Sequence, residues 1–258
     1  MIPKKIHYCW FGGNPLPELV QKCIASWKKF CPDYEIIEWN ETNFDINCCN
    51  YVKEAYQAKK WAYVSDYARL KILYEHGGLY LDTDVELIKP IEPIVSKGNF
   101  MGREENLKVN PGLIAGSSSN DSFYKELLDG YSSRCFVKEN GEFDFTTIVE
   151  YTTSFFVRYG LEDKNEIQVI KNIILYPKDY FCPLDYSSGE LILTENTYSI
   201  HHYTASWYDE TQRCALKLKR KYGRFMPRKM AAVLATAVAK AKCEGFGACL
   251  KWIFKKRK

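Results

Sequence analysis

A mixed α/β fold is what this sequence predicts, and three stretches predict it. Lys5-Ile6-His7-Tyr8-Cys9-Trp10-Phe11 reads as a strand stopped by Gly12-Gly13. Helical spacing of Leu19, Val20, Cys23, Ile24 and Trp27 follows, and residues 34–39 return as a second strand. Strand, helix, strand at this spacing is a βαβ unit with parallel pairing. Third, a long helical stretch runs into Gly77-Gly78 and a short apolar strand, Leu79-Tyr80-Leu81, that ends in Asp82-Thr83-Asp84. Ligands of such sheets gather beyond the carboxyl ends of the strands. Trp10 and Asp82 therefore share one edge.

The remaining elements follow in order. Residues 50–76 are the longest helical stretch, with a break expected at Lys59-Lys60 and Gly77 as a left-handed C-cap. Ala62, Asp66, Arg69 and Leu73 fall on one stripe at i, i+4, i+7 and i+11. Out of context, the charged pair in that stripe reads as a surface i, i+3 ion pair of about 0.2–0.5 kcal/mol. Residues 99–104 and 112–115 read as short strands with Asn110-Pro111-Gly112 as the turn between them. Residues 121–131 and 145–159 carry helical patterns, and 167–175 are β-rich. Residues 191–194 and 198–200 read as a hairpin leading into His201-His202-Tyr203-Thr204-Ala205-Ser206-Trp207.

With 258 residues the chain can build one large α/β core, and 46% hydrophobic with 15% aromatic residues is the composition of a globular protein. The net charge of +4 hides an asymmetry. From Arg213 onward there are 15 Lys and Arg against one acid, Glu244, a net +14, whereas residues 1–212 hold 21 basic and 31 acidic residues, a net −10. Two segments are expected: a catalytic domain over 1–212 and a basic amphipathic segment over 213–258. Small and basic residues around 230–242, then Leu250, Trp252, Ile253 and Phe254, suit an anionic membrane surface. Nucleic acid attracts the same charge, and the membrane is the expectation. The ten cysteines include no CxxC and no paired Cys/His knuckle. Residues 1–5 lead straight into the first strand, so no signal peptide is read. Free thiols in a reducing cytosol follow. No window reaches the ~18–20 apolar residues of a membrane span.

The chemistry centres on Asp82 and Asp84. Two carboxylates one residue apart at the end of a buried strand repel each other, and burial penalises both. A divalent cation shared with a diphosphate relieves that cost, since Mg²⁺ and Mn²⁺ take hard oxygen ligands, often one or two carboxylates plus substrate phosphates. Trp10 by itself is either a core aromatic or a ring on which a base stacks.

A lone Asp-x-Asp is weak, but here SD-x-x-R at 65–69, GG-x-Y-x-D-x-D at 77–84 and HH-x-x-x-SW at 201–207 occur in order. Together they resemble the DXD-containing glycosyltransferases of the capsular-polysaccharide and initiating-mannosyltransferase type. They are also similar to the catalytic domain of the large bacterial toxin glucosyltransferases. The resemblance runs from Ile6 to about Asp209. It implies a GT-A fold (a Rossmann-like mixed sheet flanked by helices), a nucleotide-diphosphate sugar donor, Mn²⁺ or Mg²⁺, and retention of anomeric configuration. By position it makes Trp10, with Tyr8 beside it, donor-binding. Asp66 and Arg69 become the holders of the sugar hydroxyls, Asp82 and Asp84 the metal-binding catalytic carboxylates, and Ser206 and Trp207 donor-phosphate contacts. For the last metal ligand His201 and His202 compete, and His202 is the choice. UDP-galactose, UDP-glucose or N-acetylated forms are favoured, with GDP-mannose as another donor. A lipid-linked saccharide acceptor in capsule or lipopolysaccharide assembly, at the inner membrane face of the cytoplasm, completes the expectation. Two rival readings are a haloacid-dehalogenase-like phosphohydrolase and a non-catalytic polybasic membrane adaptor.

Overall fold

A computed structural model describes residues 1–104, 108–186, 188–204 and 210–255. By its contacts the chain divides into two units, Met1–Pro183 with Leu193–His202, and Leu184–Ile192 with Tyr203–Lys258. The basic segment lies wholly within the second.

The first unit is built on a seven-stranded mixed sheet in the order β2-β1-β3-β6-β5-β8-β7. Its strands are β1 (Lys5–Cys9), β2 (Glu35–Trp39), β3 (Gly78–Tyr80), β5 (Phe100–Arg103), β6 (Val109–Ser117), β7 (Gln168–Ile170) and β8 (Ile173–Tyr176). β1 runs parallel to both β2 and β3, and β5 parallel to β8, while the other pairs are antiparallel. The parallel pairing of β1 with β2 follows from the crossover helix α1 (Glu18–Phe30), whose Val20, Cys23 and Trp27 are buried. A second, two-stranded sheet pairs β4 (Val85–Leu87) with β9 (Ser199–His201). This is the mixed sheet flanked by helices that the sequence predicts.

Helix α2 (Asn50–Gln57) and helix α3 (Trp61–His76) are separated where Lys59 takes φ 55°, at the expected break. Gly77 follows α3 with φ 63° and ψ −163°, a region open only to glycine and not the left-handed cap expected. A Cβ there would lie 2.7 Å from the Ser119 backbone nitrogen, so the strand that carries the motif needs glycine for room as well. Around α3 pack α5 (Ser122–Asp129) and α6 (Ile148–Arg158), with short helices α4 (Glu92–Val95) and α7 (Lys178–Phe181) elsewhere on the unit. Tyr51, Tyr131, Phe136 and Tyr151 fill the space between them.

Two expectations change. Asn110-Pro111-Gly112 is no turn but the interior of the nine-residue β6. Residues 191–194 do not pair with 198–200; β9 joins β4, and Leu191 instead bridges Leu184. The second unit carries three helices, α8 (Glu210–Gly223), α9 (Arg228–Cys243) and α10 (Phe246–Lys255). Among the described residues no helix is long and apolar enough to cross a membrane. All ten cysteines are free thiols.

Candidate active site

The DXD motif sits where the two sheets part. Leu81 N–H donates to His7 O at 3.1 Å and Asp82 N–H to Gly112 O at 2.9 Å, which pins the end of β3 between β1 and β6. Val85 N–H then closes on Asp82 O at 3.0 Å, and this tight turn throws the chain out of the large sheet into β4. Asp82 and Asp84 therefore occupy a corner, with Asp82 held by backbone through both its N–H and its carbonyl.

Asp66 and Arg69 reach this corner from α3. That helix buries Val64, Asp66, Ala68, Arg69, Leu70, Ile72 and Leu73, because sheet covers one side and helices the other. The helix leaves Lys71 and Glu75 paired toward solvent, but Asp66 and Arg69 lie on its covered side, so the pair that reads as a surface ion pair is a buried bridge. Arg69 Nη2 lies 3.1 Å from Asp66 Oδ1 and 3.1 Å from Asp82 Oδ1. Arg69 Nε donates to Ser65 O at 3.2 Å, and its guanidinium carbon stands 4.9 Å from the centre of the Tyr80 ring. The arginine that orders two carboxylates is thus itself fixed from four directions. Removing one partner of such a buried network costs roughly 3–5 kcal/mol.

The second oxygen of Asp66 accepts the Ile148 N–H at 3.3 Å. Ile148 opens α6, whose N-terminus is closed by a capping box of Thr147 and Glu150. An anion at a helix N-terminus is favoured, yet burial wins: the Asp66 carboxyl is pushed up to about 6, against the pull of Arg69. Burial likewise raises Asp82, with the like charge of Asp84 adding to it and Arg69 opposing. For Arg69 itself burial works against the charge, and Asp82, Tyr80 and Asp66 outweigh it.

Asp84 is 6% exposed. Its Oδ1 lies 3.1 Å from His201 Nε2. Burial disfavours the imidazolium of His201, but the Asp84 carboxylate raises its proton affinity overall. The placement follows from the β4–β9 register, which sets His201 opposite Val85. His202 N–H donates to Asp84 O at 3.0 Å, and strand alternation then turns its ring to Glu86. There His202 Nε2 is 2.8 Å from Glu86 Oε2, which also takes Lys22 Nζ at 2.9 Å. The ring expected on the metal therefore faces Glu86, while the neighbouring ring of His201 faces Asp84.

Sequence reasoning missed Gly112. The β5–β6 pairing shifts between Met101 and Gly102, so that Met101 faces Ala115 and Gly102 faces Asn110. The intervening residues of β6 bulge out of the ladder, which leaves Gly112 O for Asp82 N–H. A Cβ on Gly112 would sit 2.1 Å from Asp82 Oδ2 and 2.7 Å from Arg69 Nη1. Asn110 Oδ1 accepts Gly112 N–H at 2.8 Å, and Asn110 Nδ2 donates to Glu104 Oε2 at 2.9 Å. The usable signal was Asn-Pro-Gly in an otherwise apolar β run: read as a bulge rather than a turn, it marks close backbone approach.

Beyond the end of β1 lies an open cleft of about 550 Å³ lined by Gly12, Gly13, Asn14, Glu41, Tyr56, Lys59 and Trp61. That volume is enough for a nucleoside-sized ligand. Trp10 is half-buried at its edge and donates through Nε1 to Asn14 O at 2.6 Å. Glu41 Oε1 takes Gly12 N–H at 2.7 Å and Tyr56 OH at 3.2 Å, which fixes the glycine turn. Tyr8, expected beside the donor, is buried against Trp27 with its hydroxyl on Glu38 Oε2 at 2.7 Å. Ser206 and Trp207 lie outside the described residues.

Among the described residues no group of three or more His, Cys, Asp or Glu forms a ready metal cage. What is present is a pair of carboxylates with an imidazole on the second. The carboxylates are hard oxygen donors of the kind that Mg²⁺ or Mn²⁺ takes when phosphate oxygens complete the shell, and the imidazole is a softer nitrogen donor beside them. The raised proton affinity of Asp82, to which Asp84 contributes, is a repulsion that a cation would relieve.

A mixed sheet whose βαβ half ends in a two-carboxylate corner is the setting in which the comparisons with known proteins place this chain beside DXD-containing glycosyltransferases. Residues 17–101 match the family described as the glycosyltransferase sugar-binding region containing DXD motif. Inositol phosphoceramide mannosyltransferase 1 of Schizosaccharomyces pombe is 27% identical over 151 residues, 53% of this chain and 46% of that protein. The chain thus spans about half the length of that relative. An uncharacterized glycosyltransferase of Acanthamoeba polyphaga mimivirus is 24% identical over 246 residues, 86% of this chain and 90% of its own length. Among solved structures, the PaToxG glycosyltransferase aligns with a TM-score of 0.48 at 20% identity, covering 61% of this chain and 69% of that one.

Proposed function

We propose that this protein transfers a hexose from a nucleotide-diphosphate sugar to a saccharide acceptor. The observation that carries the reading is Arg69 bound to both Asp66 and Asp82 at a strand corner, on the sheet edge where an open cleft begins beside Trp10. In this reading the base and ribose occupy the cleft and the diphosphate reaches the corner. A divalent cation, Mn²⁺ or Mg²⁺, held by Asp82 and Asp84, would neutralise the charge that builds on the diphosphate as it leaves. Arg69 keeps the Asp82 carboxylate aimed, and Asp66 presents its remaining acceptor capacity to sugar hydroxyls, so the donor is bound in one pose. Ser206 and Trp207 are assigned donor-phosphate contacts by resemblance alone. Among the described residues no side chain at the corner is placed as a nucleophile, and with the retention that the resemblance implies the proposed route is front-face displacement.

A UDP-hexose is the favoured donor: galactose, glucose or an N-acetylated form. GDP-mannose is the second reading, favoured by the mannosyltransferase named among the relatives. That relative's name also states a lipid-bearing acceptor. It supports a lipid-linked saccharide here, as in surface-polysaccharide assembly at the inner membrane face, with residues 213–258 against the anionic membrane surface. The test is release of free nucleoside diphosphate from a panel of UDP- and GDP-sugars with Mn²⁺, repeated with EDTA. Metal-dependent release from one donor is expected. Turnover of aryl phosphates with no donor hydrolysis would favour a phosphohydrolase instead, and vesicle binding without either activity would favour a non-catalytic adaptor.

A further inference from the structure

Helix α9 exposes apolar residues on the wrong side. Ala231, Ala235 and Ala239, spaced i, i+4 and i+8, are buried, and this is the small-residue stripe by which α9 packs along α8. About half a helical turn away, at 100° per residue, stand Met230, Val233 and Leu234, which are 61%, 44% and 41% exposed. Phe225, in the four-residue link from α8 to α9, is 82% exposed. On α10, Phe246 and Leu250 are also exposed and lie i, i+4 on one face. A solvated helix face carries polar residues, and these six do not.

The charge around them has one sign. Arg213, Lys217, Lys221 and Arg224 are exposed and fall at i, i+4, i+8 and i+11, one stripe along α8 and the link beyond it. Lys229 flanks Met230, and Lys242 and Lys251 are exposed farther on. Glu244, the one acid after residue 212, is already paired with Lys240 at 2.9 Å. Nucleic acid would use the basic stripe and leave the apolar face in water, and a protein groove would need no excess of cations. Apolar face and cationic flank together match the boundary between acyl chains and anionic headgroups.

We propose that the outer face of α9, Met230, Val233 and Leu234 together with Phe225, inserts into the interfacial layer of an anionic bilayer while the α8 stripe binds headgroup phosphates. This rests on the membrane reading of residues 213–258 and goes beyond it. It names the inserted face, and it makes apolar insertion a required part of the attachment.

The experiment is flotation of the full chain with phosphatidylcholine vesicles containing about one third phosphatidylserine, against vesicles of phosphatidylcholine alone. No donor sugar is present, so the result is independent of the transferase reading. Three proteins are compared: wild type, Met230→Asp/Leu234→Asp, and Lys217→Glu/Lys221→Glu. All substituted positions are exposed, and circular dichroism checks that the helices persist. Wild type is expected on the anionic vesicles. The apolar double variant is expected to lose at least about 10-fold in partitioning, since burying one such side chain is worth about 1.5–3 kcal/mol and 1.4 kcal/mol is a factor of ten. The charge variant is expected to lose binding at low salt, where the Debye length is long. If the apolar variant floats like wild type while the charge variant does not, the inserted face is wrong and the membrane reading stands. If wild type ignores anionic vesicles, or prefers nucleic acid, both fall.

Discussion

Gly112→Ala is the substitution that probes the corner most directly. A methyl at that position would lie 2.1 Å from Asp82 Oδ2, 2.9 Å from Asp82 Cγ and 2.7 Å from Arg69 Nη1. Ordinary contact needs at least 3.4 Å, so the carboxylate must retreat by more than 1 Å or the bulge must open. The Gly112 carbonyl is held by Asp82 N–H at 2.9 Å and its N–H by Asn110 Oδ1 at 2.8 Å. Backbone retreat therefore breaks the same contacts. Overpacking of this kind costs about 1–3 kcal/mol. For a chain of this size that lowers Tm by roughly 2–12 °C. The functional cost is larger, because a misplacement of about 1 Å at a reacting centre can cost on the order of 100-fold. The assay is metal-dependent nucleoside diphosphate release, with calorimetric binding of the free nucleotide measured alongside. Turnover should fall about 100-fold or more, and nucleotide affinity should fall less, because the cleft at Trp10 is untouched. Gly247→Ala is the control: it sits on α10 with no atom near its added methyl. Turnover by Gly112→Ala within about 3-fold of wild type would mean that Asp82 does not need its place.

Other outcomes follow from the same geometry. Burial lifts Asp66 from 3.8 to about 6, so between these values the folded state binds more protons than the unfolded one and stability falls as pH rises. Asp66→Asn removes that penalty. On top of the pH-independent cost of weakening the buried bridge, its stability difference from wild type should shift in its favour by up to about 3 kcal/mol between pH 4 and 7, at 1.36 kcal/mol per pH unit, while donor turnover is lost; a stability difference independent of pH in urea titrations refutes the assignment. Asp84→Ala should abolish Mn²⁺-dependent donor hydrolysis, and activity retained with chelator present counts against a metal route. His201→Gln should raise the Mn²⁺ concentration for half-maximal rate by 10–100-fold, and His202→Gln should leave it unchanged; the reverse order would return the ligand role to His202. Trp10→Ala should weaken nucleotide binding by about 10-fold, as for loss of one stacked ring, and an unchanged calorimetric affinity disposes of that role.

The parts of this molecule legible in the sequence are those set by local periodicity. The strand-helix-strand start, the break at Lys59-Lys60 and the apolar strand into Asp82 all rest on spacing within one or two turns of chain. What was not legible depends on pairing across long separations. Asn110-Pro111-Gly112 carries a turn signal, yet it lies in β6 because β3 pairs with Ala115, Gly116 and Ser117 on one side and β5 on the other. Likewise no local pattern tells whether His201 or His202 faces Asp84; the register with β4 decides it. The burial of Asp66 and Arg69 was hidden for the same reason. An i, i+3 ion pair looks alike on a solvent face and inside a helix covered on both sides.

Charge at the corner supplies the remaining argument for a cation. Asp66, Asp82 and Asp84 gather three carboxyl groups around one guanidinium, Arg69, and one imidazole, His201. With all five groups in their charged forms the set sums to −1, so carboxylate is in excess. Arg69 is largely occupied by protein groups, because its Nη2 faces both Asp66 and Asp82 at 3.1 Å and its Nε donates to Ser65 O at 3.2 Å. A diphosphate approaching such a site meets repulsion, which at 4 Å amounts to about 4 kcal/mol per charge pair at an effective dielectric constant of 20. A divalent ion between Asp82, Asp84 and the phosphate oxygens reverses the sign of that interaction. On the proposed reading the corner would refuse a bare diphosphate and accept one that arrives with a metal. Nucleotide binding measured with and without Mn²⁺ should differ by at least 100-fold, about 2.7 kcal/mol. Equal affinity in EDTA would show that a positive group of the protein, and no metal ion, receives the phosphates.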